Sequence, residues 1–346
     1  MSVVIALLLA LLMATTPAAI TTQLAIGPVE IEGDTANRIA WSHPGSESIL
    51  VAGEGGLYAA VGNEWSEIAP APPVGQVASS GGDSPILLAG DHAPCMRGGA
   101  STPLQRSADG GSTWEPVAGV TDFRPLAIWP GTGLALASSC PGLQMSGDGG
   151  VTWSLVPGID PGWDLTSFAD IPQEDGSGPV VLVGLTGEGG TSYLHQVDFT
   201  DPAAPVVSDS LREYYAIGGL TGSGDTYVLA AMDGVWISND AGVTWERSAT
   251  GLEGVVLERD PLVDGLPQDM APNEFGLFSA ALLPGERPGM VVGSVDGIYV
   301  SFADGDSWMK VDGTSGQVNQ IAVAADGSLL VYATDEGVFQ VDMTAS

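Results

Sequence analysis

A short phrase recurs along this chain. It reads SADGGSTW over 107–114, SGDGGVTW over 146–153 and SNDAGVTW over 238–245. The shared form is Ser-x-Asp-x-Gly-x-Thr-Trp. A weaker copy, SFADGDSW, occupies 301–308. A fixed phrase repeated at intervals means a chain built of stacked units. The closing tryptophans, Trp114, Trp153, Trp245 and Trp308, are 39, 92 and 63 residues apart. These gaps fit one unit, two units, and one unit carrying an insertion. Units of about 40–50 residues are the size of propeller blades.

Each unit repeats one grammar. A small-residue apolar strand comes first, as at 125–128 and 215–220. A Gly/Asp/Pro turn leads into a strongly apolar strand, as at 49–52, 86–89, 134–137, 180–183, 227–231, 290–292 and 329–333. An acid–glycine turn follows, then a third strand reading Gly-apolar-aromatic, as in Gly234-Val235-Trp236 and Gly297-Ile298-Tyr299. The recurring phrase turns into a fourth strand. Short alternating runs bounded by turn residues are strands, and four per unit selects a propeller over a sandwich or barrel. The grammar predicts seven units, at 37–68, 76–117, 120–156, 162–207, 211–248, 275–311 and 317–345. The seventh lacks a fourth strand. The alternating segment at 23–32 is expected to supply it and so to close the ring, removing two exposed edges. The fold class is therefore all-β, a seven-bladed β-propeller over 21–346. The fourth unit is expected to be irregular at 200–207. The stretch 251–274 reads as a long insertion loop, and such loops are often functional.

Composition narrows the setting. Forty-two acidic residues face nine basic ones, a net charge of −33, and Lys310 is the only lysine. Nucleic acid is disfavoured, because phosphates need clustered Lys and Arg. An anionic membrane surface is disfavoured for the same reason. The first 20 residues read as a signal peptide, an apolar stretch at 3–13 followed by small residues. Export to a periplasmic, cell-surface or extracellular location is expected, with no integral membrane span once processed; a retained, uncleaved anchor is the alternative. In that setting an even pair of cysteines, Cys95 and Cys140, suggests a disulfide across neighbouring units, with free thiols as the alternative. His43, His92 and His195 match no metal motif, so no metal site is expected. The acidic loops keep calcium open as the one cofactor, although no twelve-residue calcium loop is present.

The phrase resembles the Asp-box, or BNR repeat, of sialidases, Vps10-type sorting receptors, xyloglucan-cleaving propellers and the photosystem II assembly propeller. Three copies match it; the fourth has Ala303 at the aspartate position. In such turns the aspartate (Asp109, Asp148, Asp240) accepts backbone N–H groups. The glycine (Gly111, Gly150, Gly242) takes a conformation that side chains resist, and the tryptophan is buried between strands. The resemblance implies that these turns lie on the outer rim, away from the ligand face, and are structural.

By the same resemblance, ligands meet the face made by inner-strand starts and by the turns between second and third strands. The grammar places Asn37, Arg38, Gln76, Asp122, Arg124, Trp163, Asp164, Glu213, Tyr214, Glu274 and Asn319 at the starts, and Glu54, Asp91, His92, Cys140, Glu188, Asp233, Asp296 and Asp335 in the turns. Sialidases hold a carboxylate with an arginine cluster, because a planar guanidinium fork grips it bidentately. Here Arg38, Arg124 and Arg212 would form that cluster. Glu213 with Tyr214 or Tyr215 would form the nucleophile pair, and Asp122 or Asp164 would be the acid. The competing expectation is a non-catalytic binding or assembly module, acting as a monomer, in which Trp163, His92 and Glu274 contact a protein or carbohydrate ligand. The acid–glycine pairs are first of all hairpin turns. A non-catalytic platform is therefore the leading expectation, and a sialidase-like glycoside hydrolase the alternative.

Overall fold

The computed structural model describes residues 25–28, 38–42, 48–53, 56–61, 64–69, 71–72, 75–82, 85–91, 103–159, 164–171, 173, 178–187, 190–267, 270, 274–285, 289–302 and 304–343. The expected signal segment at 1–20 lies outside them, as do Asn37, His43, Glu54, His92, Cys95, Trp163 and Glu188. Seven antiparallel blades follow one another around a ring. Their innermost strands are Arg38–Ser42, Gln76–Ser79, Arg124–Ile128, Asp164–Ile171, Gly219–Ser223, Leu277–Leu282 and Val318–Val323. The first two blades are joined in one sheet by a short parallel contact, Trp41 with Ala78 and Ser42 with Ser79. The last blade takes its outer strand from the N-terminus. Ala25–Pro28 pairs antiparallel with Gly337–Asp342, Ala25 opposite Asp342 and Pro28 opposite Phe339. The ring closes as the sequence predicts. No helix among the described residues is long and apolar enough to cross a membrane.

The strongly apolar second strands are buried throughout, as in Leu87–Gly90, Ala135–Ser139, Met290–Ser294 and Leu329–Thr334. Each is covered on both faces by neighbouring blades, and this is why these runs are apolar at successive positions rather than alternating. One core cluster joins Leu136 and Leu143 of blade three to Val181, Val183 and Val197 of blade four. Burial is thus radial, blade against blade, with no single central core.

The recurring phrase links third and fourth strands, at the opposite end of the blade from the second-to-third-strand turns. Asp109 accepts from the Thr113 N–H at 2.9 Å, the Thr113 hydroxyl at 2.6 Å and the Ser107 hydroxyl at 2.8 Å. Asp148 and Asp240 repeat these three bonds. Each tryptophan Nε1 then donates to the carbonyl of the phrase's glycine, Trp114 to Gly111, Trp153 to Gly150 and Trp245 to Gly242. The glycines are required twice over. Their φ values are +95°, +88° and +86°, where L side chains are strained. A Cβ would also lie 2.3 Å from Ile68, 2.5 Å from Leu88 and 2.7 Å from Leu182, each in the preceding blade. The phrase is a device for seating one blade against the one before it.

These turns make an acid-stability prediction. Asp109 is held at about 2 by the Thr113 hydroxyl and N–H and the Ser107 hydroxyl. Burial pushes Asp148 up, but bonds from Thr152, Ser146 and Val151 outweigh it and also hold it at about 2. The folded values lie below the ordinary aspartate value of 3.8. Their contribution is therefore complete above that value and is lost as pH falls through it toward 2. Denaturant midpoints followed downward from about pH 5 should drop in the parent chain. They should drop less in Asp109→Asn/Asp148→Asn/Asp240→Asn.

Two boundaries differ from the sequence expectation. The unit expected at 211–248 begins later. Arg212–Tyr215 does not start blade five; it pairs with Thr191–Leu194 of blade four. The apolar run 215–220 is broken at Ala216, whose φ is +51°, and blade five starts at Gly219. Blade four's outer strand therefore comes in two pieces, Val206–Val207 and Arg212–Tyr215, in keeping with the irregularity expected at 200–207. The insertion also divides. Leu252, Val255, Val256 and Leu257 are buried, the first three packing with Trp308 between blades five and six. Beyond them the chain forms a one-turn helix, Pro261–Asp264.

Candidate functional site

The inner strands enclose a cavity of about 580 Å³ on the ring axis. Four inner strands carry a β-bulge near their starts, between Pro125 and Ala127, Leu165 and Ser167, Leu277 and Ser279, and Val318 and Gln320. The extra residues are Leu126, Thr166, Phe278 and Asn319, and all four line the cavity. A bulge turns a side chain out of the alternation its strand would impose. Here the same displacement at the same height in four blades builds a ring of side chains around one opening.

The wall is mostly neutral. Gln76, Thr166, Ser167, Ser279, Asn319 and Gln320 supply amides and hydroxyls, and Leu126, Phe168, Ile217 and Phe278 supply apolar surface. Several polar groups are fixed by their neighbours. Thr166 Oγ1 donates to the Gly184 carbonyl at 3.1 Å. Gln317 Nε2 donates to Asn319 Oδ1 at 2.7 Å, and Asn319 Nδ2 to Asp335 Oδ1 at 3.0 Å. Ser167 Oγ and Gln320 Oε1 are buried and have no hydrogen-bond partner among the described residues. Among the described residues, two charged side chains line the cavity, Arg124 and Asp335. The Arg124 Nη2 donates to the Leu165 carbonyl and so ties blade three to blade four. The mouth is thus a hydrogen-bonding ring with aromatic inserts, built by bulges.

Of the residues named from sequence, Gln76, Arg124, Asn319 and Asp335 line this cavity. Arg38 and Asp164 are placed by their backbones at the starts of their inner strands, opposite Ala52 and Thr186. Asp122 occupies the turn before blade three with φ +62°. Glu274 is exposed shortly before blade six's inner strand. Arg212, Glu213 and Tyr214 are not at an inner-strand start; they belong to the outer strand of blade four. There the Arg212 guanidinium lies 3.8 Å above the Trp236 ring. Tyr214 is 2% exposed and packs edge-on against Trp236. Burial raises its pKa, Arg212 opposes the rise, and Asp233 adds to it. The structure therefore does not gather Arg124 and Arg212 at one point. Asp233, in the turn beside Trp236, is buried at 4% exposure. Burial raises its pKa against the Trp236 N–H and Arg247. Cys140 is half-buried in the turn after blade three's second strand. There is no free cysteine among the described residues. No group of three His, Cys, Asp or Glu side chains suited to a metal ion occurs among the described residues.

Sequence reasoning missed Leu126, Thr166, Ser167, Phe168, Phe278 and Ser279. A signal existed. Leu165-Thr166-Ser167, Leu277-Phe278-Ser279 and Val318-Asn319-Gln320 each place an apolar residue two before a polar one at the head of an inner strand. That interrupts the period of two and marks an extra residue.

Fold and cavity together define a seven-bladed β-propeller with an axial, side-chain-lined opening. No protein-family model matches the sequence, nor does any curated protein. Solved structures match the fold. YCF48 bound to a D1 peptide superposes with a TM-score of 0.58 at 14% identity, over 93% of this chain and 95% of that one. The GH74 xyloglucanase from Xanthomonas campestris superposes with a TM-score of 0.63 at 15% identity, over 93% of this chain and 54% of that one.

Proposed function

We propose that this chain is a binding platform that takes a segment of a partner protein into the mouth of its central cavity, and that it works outside the cytoplasm. The observation that carries the proposal is the bulge-built ring itself. Neutral amides and hydroxyls set around Phe168 and Phe278 suit a peptide, whose backbone offers donors and acceptors at regular spacing and whose side chains offer apolar surface. The YCF48 structure, a propeller of the same form with a bound peptide, supports this choice of ligand. A bridge between Cys140 and Cys95 belongs to the proposal, since export permits it. Intact mass before and after reduction, with thiol alkylation, should show one disulfide and no free thiol.

Arg124 in the cavity and the xyloglucanase among the fold's neighbours favour a second reading, a sialidase-like glycoside hydrolase. Two features weigh against it. Glycosidases use two catalytic groups facing one bond, and the described cavity wall carries one carboxylate, Asp335, which accepts from Asn319. Tyr214, one of the tyrosines expected as nucleophile, is buried on the outer strand, where burial raises its pKa. A fluorogenic glycoside panel that includes a sialoside separates the two. The platform predicts no turnover by the folded protein. Turnover that disappears in Arg124→Ala would establish the hydrolase.

A further inference from the structure

The second half of the insertion presents apolar side chains to solvent from a firmly held base. Arg247 Nη2 donates to the Leu257 carbonyl at 3.0 Å, the Leu257 N–H to the Met232 carbonyl at 2.9 Å, and the Gly276 N–H to the Val255 carbonyl at 2.8 Å. On that base stands the one-turn helix Pro261–Asp264. Asp260 Oδ1 caps it by accepting from the Leu262 N–H at 2.9 Å. The Gly265 N–H closes it on the Pro261 carbonyl. Pro261 is buried, yet Val263 is 80% exposed, Leu262 38% and Leu266 37%. The helix lies against Arg212–Tyr215, and Leu211, just before that strand, is 46% exposed. The other exposed large apolar residues, Val151, Leu155, Val206, Val243, Phe302 and Met309, are spread over blades three to six. A capped turn that is anchored below and aliphatic above is pre-organised for contact.

Charge indicates what covers it. Glu213, Glu258, Asp260 and Asp264 are exposed around the aliphatic group, against two exposed cations, Arg259 and Arg212. Arg212 is stacked on Trp236. The whole chain carries −33. An anionic lipid surface would be repelled. We propose that this knob is a docking surface for a cationic amphipathic segment of another protein. Its aliphatic residues would seat on Leu262, Val263 and Leu266, and its lysines or arginines would face the surrounding carboxylates. This surface is on the rim, and its occupation does not depend on what enters the axial cavity.

The test uses the full chain and three labelled synthetic peptides, followed by fluorescence anisotropy. One is a helical peptide of leucine and lysine. The second has glutamate for each lysine, and the third serine for each leucine. The leucine–lysine peptide should bind, and the other two should not. Val263→Asp separates the possible causes, because it adds negative charge and removes apolar surface. Pure charge attraction predicts tighter binding by this variant. The docking surface predicts binding weaker by about tenfold, the size of effect expected when one aliphatic contact is lost. Equal or tighter binding by Val263→Asp would overturn the proposal, as would equal binding of the serine peptide. A concentration-dependent dimer in sedimentation, lost in Val263→Asp, would also overturn it by making a second copy the occupant.

Discussion

Replacing Gly218 with valine is expected to split the ring between blades five and six and to abolish binding at the axial cavity. A Cβ at Gly218 would lie 2.1 Å from the Leu277 carbonyl oxygen and 2.5 Å from the Phe278 Cα. At Gly219 it would lie 2.5 Å from the Ala280 nitrogen. These are backbone atoms of the neighbouring inner strand, and they cannot swing aside as a side chain would. The only relief is to separate the strands, which opens the tightly packed seam between blades. Overpacking of this kind costs about 3 kcal/mol or more. Gly218→Ala should show much of the loss and Gly218→Val more, read as lowered urea midpoints. The same movement displaces Phe278 from the cavity wall, so stability and binding should fail together. Glycines that meet nothing, such as Gly254 and Gly224, serve as controls. They have positive φ, so changing them should cost only the strain of that conformation.

The second large effect falls where the repeated phrase matches worst. Trp308 closes the copy that lacks the aspartate, yet it is the phrase's most buried tryptophan, at 3% exposure. It packs with Leu252, Val255, Val256, Met290 and Tyr299. Its Nε1 donates to Ser248 Oγ of the preceding blade at 2.9 Å, not to its own glycine. Trp308→Ala should cost about 4 kcal/mol, in the range for a buried aromatic removed from a packed core. It should also free the insertion, because Leu252 and Val256 lose their cover. Trp114, Trp153 and Trp245 are only half-buried, and their alanine variants should cost less. Thermal or urea unfolding of the four variants would check this order. A ranking that followed the quality of the phrase would contradict the packing described here.

The blades were legible because their causes are local. Turn chemistry at Asp–Gly pairs, apolar second strands and the phrase itself all act within a few residues, and the N-terminal alternation needed only an unpaired partner edge. The start of blade five was not legible. Tyr215 and Ile217 read as one strand, but a single left-handed residue, Ala216, hands the first part to blade four. That choice depends on the open edge of Thr191–Leu194, which is a tertiary fact. It also moved Arg212, Glu213 and Tyr214 from the expected ligand face to the rim. The cavity was half legible. Gln76, Arg124 and Asp335 follow from strand order, and Asn319 lies close enough to a strand start to be reached the same way, whereas Thr166 and Phe278 depend on bulges that shift the pairing by one residue. The insertion reads from sequence as one long loop, and its first half is instead core. Its Leu-x-x-Val-Val-Leu spacing at 252–257 carried that signal.

The central claim is that the bulge-built mouth holds a partner's peptide. The direct measurement is to pan a random peptide library against the purified chain. The affinities of the enriched peptides are then compared between the parent and Phe278→Ala. The account predicts enrichment of one related set of peptides. It also predicts an affinity loss of about tenfold or more in the variant, as expected when an aromatic anchor is cut back. Enriched peptides that bind both proteins equally, with the variant folded, would contradict it.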